Sequence, residues 1–148
     1  MRERLQASGS QRDLKRGKGG IVDIEFIVQM YRLKYGRRHP EVRHPNTWQA
    51  LDGIRAVGLI ADDEHADLYQ GYTFLRQVEC RLRIFHNRSL DELPESPEDL
   101  EKLARRIGID HPPNEPALPR LMEELEKHTG RIRGLFISLF DREKEIVG

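Results

Sequence analysis

From Ile21 to Tyr35 the apolar residues fall into two sets at helical spacing. At about 100° per residue, Ile21, Ile24, Val28 and Tyr31 share one side. Val22, Phe26, Met30 and Leu33 cover another, and Ile27 fills the gap between them. Only Glu25, Gln29 and Arg32 remain as a narrow polar stripe. The pattern predicts a helix buried on most sides and therefore central to the domain.

Four further helices follow from the same periodicity. Asn46 or Thr47 can cap a second, carrying Trp48, Leu51, Ile54 and Val57 and ending near Gly58. A long third runs from Asp62 to Phe85 or His86 with Leu68, Tyr72, Leu75, Val78, Leu82 and Phe85 at steps of three and four. Ser96, Pro97 and Asp99 form a start signal for a short fourth helix with Leu100, Leu103 and Ile107, which Gly108 closes. The last spans Leu118 to Lys144, with Leu118, Leu121, Leu125, Ile132, Leu135 and Leu139 in a near-heptad stripe. No segment alternates with period two for long enough to make a strand. The predicted class is all-α, a bundle of about five helices.

The intervening segments are punctuated. Residues 1–20 are polar and rich in Gly, Ser, Lys and Arg: "MRERLQ" reads as a frayed helix end, "ASGSQRD" as a linker. The expected organisation is a junction over 1–20, leading from an upstream domain, and a helical bundle over 21–148. "GRRHPEVRHPN" reads as a basic loop in which Gly36 closes the first helix. Gly130 and Gly134 lie one turn apart inside the last helix, where close packing or a bend is the expected reason for them.

Composition narrows the function. Charged residues make up 34% of the 148, yet the net charge is zero, so there is no global basic field for nucleic acid. No apolar run reaches a membrane span, and the N-terminus lacks the apolar stretch of a signal peptide. The single cysteine, Cys80, excludes an internal disulfide and fits a reducing cytoplasm. The six histidines have no metal-ligand spacing. Arg76, Glu79 and Arg83 are spaced for a salt-bridge stripe along one helix face.

The stretch "DLKRGKGGIVDIEF" carries the candidate chemistry. Glycines before a helix start let backbone amides approach an anion, and lysines add charge, so the stretch suits a phosphate. It is neither a Walker A loop nor GxGxxG after a strand, and a solvated hinge is the alternative. Acids in a first helical turn, here Asp23 and Glu25, also oppose the helix dipole without any ligand.

"DLKRGKGGIVDIEFIVQ", "NTWQALDGIRAVGLI", "YTFLRQVECRLRIFHNRSLDELP", "LEKLARRIG" and "RIRGLFISLF" together resemble the helical domain of the glutamine synthetase adenylyltransferases, a domain type shared with PII uridylyltransferases. The strongest signature is Lys15, Gly19, Gly20, Asp23, Ile24, Glu25, Phe26 and Gln29; Phe74, Leu75, Arg76, Glu79, Leu82 and Leu93-Pro94 support it. The resemblance implies a parent enzyme that moves AMP between ATP and a tyrosine of glutamine synthetase, and removes it by phosphorolysis, to regulate nitrogen assimilation. It implies ATP and Mg²⁺ held by an upstream nucleotidyltransferase domain, with a PII signal protein and glutamine synthetase as partners. The Gly-Ser … Asp-x-Asp pattern of such metal acids is missing: Gly9-Ser10 is followed by Asp13 and Lys15. The chain is therefore expected to contribute no catalytic residue, to hold no metal or cofactor by itself and to be inactive alone. The site residues that the resemblance implies are Lys15 and Lys18 facing phosphate, Gly17, Gly19 and Gly20 shaping the loop, and Asp23 and Glu25 orienting it. The alternative is a non-catalytic bundle that docks a PII protein or glutamine synthetase. Which half of the bifunctional enzyme this chain resembles, adenylylating or adenylyl-removing, stays open.

Overall fold

Residues 13–86 and 93–147, which a computed structural model describes, fold as five α-helices and one 3₁₀ turn. The helices are α1 (Ile21–Tyr35), α2 (Thr47–Ala56), α3 (Asp62–His86), α4 (Pro97–Ile107) and α5 (Leu118–Val147), with the 3₁₀ helix at Pro40–Arg43 between α1 and α2. No strand occurs among the described residues. The expected all-α bundle is what forms. The segments "MRERLQ" and residues 87–92 lie outside the described residues.

Local chemistry sets the ends. The Asn46 side chain accepts from the Gln49 amide at 3.0 Å and starts α2. Ser96 does the same for α4, accepting from the Asp99 amide at 3.4 Å, with Pro97 at the first helical position. Both helices stop at a left-handed glycine: Gly58 donates to Arg55 and Leu59 to Ile54, and Gly108 donates to Arg105 and Ile109 to Ala104. Those paired bonds satisfy the last carbonyls of each helix. Helix α5 starts differently. The Glu101 carboxylate reaches across from α4 and accepts from the Ala117 and Leu118 amides, both at 2.8 Å. These bonds, the Ala117 one foremost, hold its pKa below the usual carboxylate range.

The core is one cluster in which α3 and α5 make the largest contact and α1 packs on α5, α2, α3 and the 3₁₀ turn. Leu68, Tyr72, Leu75, Val78 and Leu82 of α3 are buried, as their spacing predicts. In α5 Leu121, Leu125, Ile132 and Leu139 are buried, while Leu118 and Leu135 are half-buried. Val42 of the 3₁₀ turn is fully buried, so the basic loop is anchored in the core rather than free. Near the end of α5, Glu143 is buried and accepts from Tyr35 and Lys34, with the Tyr31 hydroxyl at 3.5 Å. Burial raises the Glu143 pKa, but these donors outweigh it and hold the carboxyl below its ordinary range. Tyr31 is pushed up to about 12, chiefly by burial.

Two expectations are corrected here. Helix α1 is not buried on most sides. Its Ile21, Ile24, Ile27, Val28 and Tyr31 face is buried, but Phe26 is 55% exposed and Leu33 79%. Gly130 and Gly134 do not mediate close packing: a methyl group on either would meet open space. The close approach of α3 to α5 is at Gly71, where a Cβ would lie 2.7 Å from Ile132 Cδ1. Cys80 is exposed. The salt-bridge stripe expected of Arg76, Glu79 and Arg83 forms, with Arg76 at 2.7 Å and Arg83 at 3.7 Å on one oxygen of Glu79, which is itself buried.

His128 fills the gap in the α5 stripe between Leu125 and Ile132. It is buried, its ring stacks on Phe74 at 4.8 Å, Nε2 lies 3.3 Å from Glu124, and Nδ1 has no partner among the described residues. Burial, with Lys127 next, lowers its pKa from 6.5 against the opposing pull of Glu124. A histidine whose folded pKa is depressed binds fewer protons folded than unfolded, so stability is fully present above 6.5 and declines as pH falls below it. The urea midpoint is expected to drop between about pH 7 and about pH 5, before most carboxylates titrate, and His128→Gln to flatten that part of the profile.

Candidate functional site

The glycine-rich stretch forms a tight turn packed on the bundle. Asp13 Oδ1 accepts from the Lys15 amide at 3.1 Å and the Arg16 amide at 2.8 Å, and the Asp13 carbonyl accepts from Gly17 at 3.0 Å. Gly20 donates to Gly17, Ile21 to Leu14 and Val22 to Lys15, each at 2.9 Å. Leu14 is only 2% exposed and joins the core. The expected junction over 1–20 thus divides: residues 13–20 belong to the packed body, and residues 1–12 lie outside the described residues.

Gly19 sits where the turn meets α5. Its φ is +75°, and a Cβ there would lie 2.7 Å from the Thr129 carbonyl carbon, 2.8 Å from its Cα, and closer still to its oxygen. Only glycine satisfies both the left-handed conformation and that approach. Asp23 secures the same contact. Its carboxylate, 8% exposed, accepts from the Gly19 amide at 2.7 Å and from Arg133 Nη1 at 3.2 Å. One acid of α1 therefore closes the turn before it and ties both to α5, in the manner of a capping-box acid reaching back along the chain.

The seven predicted positions separate into two groups. Gly17, Gly19, Gly20 and Asp23 are buried and hold the turn together; Lys15, Lys18 and Glu25 are exposed. Most amides that a phosphate cradle would use are already committed within the turn, so the lysine side chains are its outward donors. Neither Lys15 nor Lys18 forms an ion pair among the described residues. Thr129 and Arg133 complete the site and were not legible as part of it. Arg133 beside Ile132 reads as an ordinary charge flanking a stripe, and only the fold brings it to Asp23.

Glu25 lines a second feature. The polar stripe of α1, Glu25, Gln29 and Arg32, forms one wall of a cavity of about 330 Å³ closed by Pro45 and Thr47 at the start of α2. Arg32 Nη2 donates to the His44 carbonyl, and Arg32 Nε is buried without a partner among the described residues. The residues present do not suit a metal ion: no three His, Cys, Asp or Glu side chains converge among the described residues. No helix among the described residues is long and apolar enough to cross a membrane.

An all-α bundle, with five helices among the described residues and a basic glycine turn clamped to the last of them, is the class of structure these observations define. The chain belongs to the GlnD PII-uridylyltransferase family, whose model matches residues 1–140. It is similar to bifunctional glutamine synthetase adenylyltransferase/adenylyl-removing enzymes. The similarity is 33% identity over 138 residues to that of Streptomyces avermitilis, covering 93% of this chain and 13% of the relative. It is 40% over 106 residues to that of Caulobacter vibrioides, covering 72% and 10%. The resemblance read from the glycine turn and its helix is borne out, and the chain spans about one seventh or less of the relatives it matches.

Proposed function

We propose that this chain is the helical domain of a glutamine synthetase adenylyltransferase and works beside a nucleotidyltransferase domain of the same polypeptide. In that reading the parent moves AMP between ATP and a tyrosine of glutamine synthetase, and removes it by phosphorolysis, under control of a PII signal protein. ATP and Mg²⁺ belong to the neighbouring domain, and this chain adds no metal acids. Its contribution is a rigid basic edge. The observation that carries the reading, beside the family, is that Lys15 and Lys18 stand exposed on a turn whose backbone is locked by Gly19, Asp23, Thr129 and Arg133.

Nucleotidyl transfer rests largely on positioning and charge neutralisation. An ammonium held near a polyphosphate is attracted by about 1 kcal/mol in bulk water, and by about 4 kcal/mol where the dielectric falls to about 20. Holding it on a fixed turn avoids ordering it at the moment of reaction. Lys15→Ala in the full-length protein is expected to lower the transfer rate about tenfold. Its melting temperature should stay near wild type, because Lys15 is exposed and forms no ion pair among the described residues. Equal activity per folded molecule would sink the junction role.

A second reading, a non-catalytic bundle that docks a PII protein or glutamine synthetase, rests on the exposed apolar side of α1. Titration of the chain with either protein tests it directly.

A further inference from the structure

The polar stripe of α1 faces a cavity with a chemistry of its own. Glu25, Gln29 and Arg32 follow one another at steps of four and three, so they stand on one side of the helix. Pro45 and Thr47 close the cavity of about 330 Å³ from the other side, and Val22, Phe26 and Val28 complete its lining. Both walls are fixed. Helix α1 is held by its buried Ile21, Ile24, Ile27, Val28 and Tyr31. The opposite wall is held at His44, whose carbonyl accepts from Arg32 Nη2 and whose Nδ1 accepts from the Asn46 amide at 3.2 Å, and by the Asn46 cap on α2.

The cavity adjoins the glycine turn. The amide of Val22, one of its lining residues, donates to the Lys15 carbonyl at 2.9 Å. Glu25 lies three residues beyond Val22, about 4.5 Å along the helix axis. The lining is also unsatisfied within the bundle: the side chains of Glu25, Gln29 and Thr47 make no hydrogen bond or ion pair among the described residues.

That donor and acceptor set is selective. A carboxylate only accepts, so Glu25 calls for a ligand that donates. Its charge disfavours a phosphate or a carboxylate inside the cavity, and the Arg32 guanidinium disfavours an ammonium. A neutral group rich in hydroxyls remains. The volume lies at the low end of the range of about 300–1,000 Å³ for small-molecule sites, which suits a sugar ring rather than a whole nucleotide. Vicinal hydroxyls give one carboxylate two donors at once, and an acid reads a ribose by such a bond in dinucleotide-binding folds.

We propose that this cavity seats the ribose of the nucleotide whose phosphates meet Lys15 and Lys18. Glu25 accepts from the 2′- and 3′-hydroxyls, and Gln29 and Thr47 bond to the ring from either side. Cavity and turn adjoin along α1 as a ribose and its phosphates adjoin in a nucleotide. The inference rests on the proposed function in one respect, that the substrate of the parent enzyme is ATP.

The test is calorimetric titration of the full-length protein with ATP and with 2′,3′-dideoxy-ATP, with no glutamine synthetase present to accept AMP. ATP is expected to bind at least about tenfold more tightly, the scale of hydrogen bonds to a charged group. Glu25→Gln should abolish that preference by weakening ATP alone. Lys102→Ala, on the exposed side of α4, should keep it. Glu25 is exposed, so Glu25→Gln should fold as wild type, which circular dichroism checks. In the 148-residue chain, ATP should shift the amide resonances of Glu25, Gln29 and Thr47. A preference for ATP that survives in Glu25→Gln overturns the proposal. So does the lack of that preference in wild type, the absence of shifts at these three residues, or free ribose binding as tightly as ATP, which would make this a site for a free sugar. The adenylyl-transfer assay separates the two readings. Preference for ATP without any transfer of AMP to glutamine synthetase would fail the proposed function alone; transfer with the preference intact in Glu25→Gln would fail this inference alone.

Discussion

Gly19→Ala is expected to destabilise the domain by about 2 to 5 kcal/mol. A non-glycine residue held at left-handed φ costs about 1 to 2 kcal/mol. The added methyl also overlaps the Thr129 backbone of α5, and overpacking of a well-filled contact costs about 1 to 3 kcal/mol more. The colliding atoms are backbone, in the middle of a helix, so no rotamer change relieves the overlap. The turn must lift from α5, and Leu14 comes out of the core with it. For a domain of this size the melting temperature should fall by about 10 °C. A loss under about 1 kcal/mol in urea unfolding would mean that the turn does not sit on α5 as described.

Asp23→Ala should have the second-largest effect, about 2 to 3 kcal/mol. Removing the carboxylate leaves the buried Gly19 amide without an acceptor, a penalty of about 1 to 3 kcal/mol. Arg133 loses its partner too, but its side chain is 35% exposed and can turn to water, so that part of the cost is small. Asp23→Asn keeps an oxygen for Gly19 and should recover more than half of the loss. In a double-mutant cycle the coupling of Asp23 to Arg133 should stay below about 1 kcal/mol. Near-wild-type stability in Asp23→Ala would assign Asp23 to a ligand rather than to the turn. Because Asp23 is structural, its alanine variant lowers activity through folding as well. Lys15→Ala separates the two roles, since that side chain is exposed and forms no ion pair among the described residues.

Most of the architecture was legible from local chemistry. Asn46, Ser96, Pro97, Gly58 and Gly108 mark helix ends by bonds within a few residues of themselves, and such bonds are written in the sequence. The α3 and α5 stripes were legible because each faces a single core. Helix α1 misled for a physical reason: apolar content on a second face looks the same whether the surface is buried within the domain or left for a partner. The Asp23–Arg133 pair and the Glu101 cap on α5 were hidden because they join elements whose relative placement periodicity does not specify. The candidate site was legible as residues but not as roles. Lys15, Gly19 and Asp23 were singled out together, yet only the fold shows that Asp23 points inward to hold the turn while the lysines point out.

The clamp between Asp23 and Arg133 joins residues 110 positions apart. At ribosomal speeds of about 5 to 20 residues per second, roughly 5 to 20 seconds pass between synthesis of the two partners. Through that interval the nascent glycine turn has no helix to close upon. In a polypeptide with a catalytic domain upstream, that domain would emerge and fold while its boundary with this one is still unlatched, and the latch would set only once the last helix leaves the ribosome.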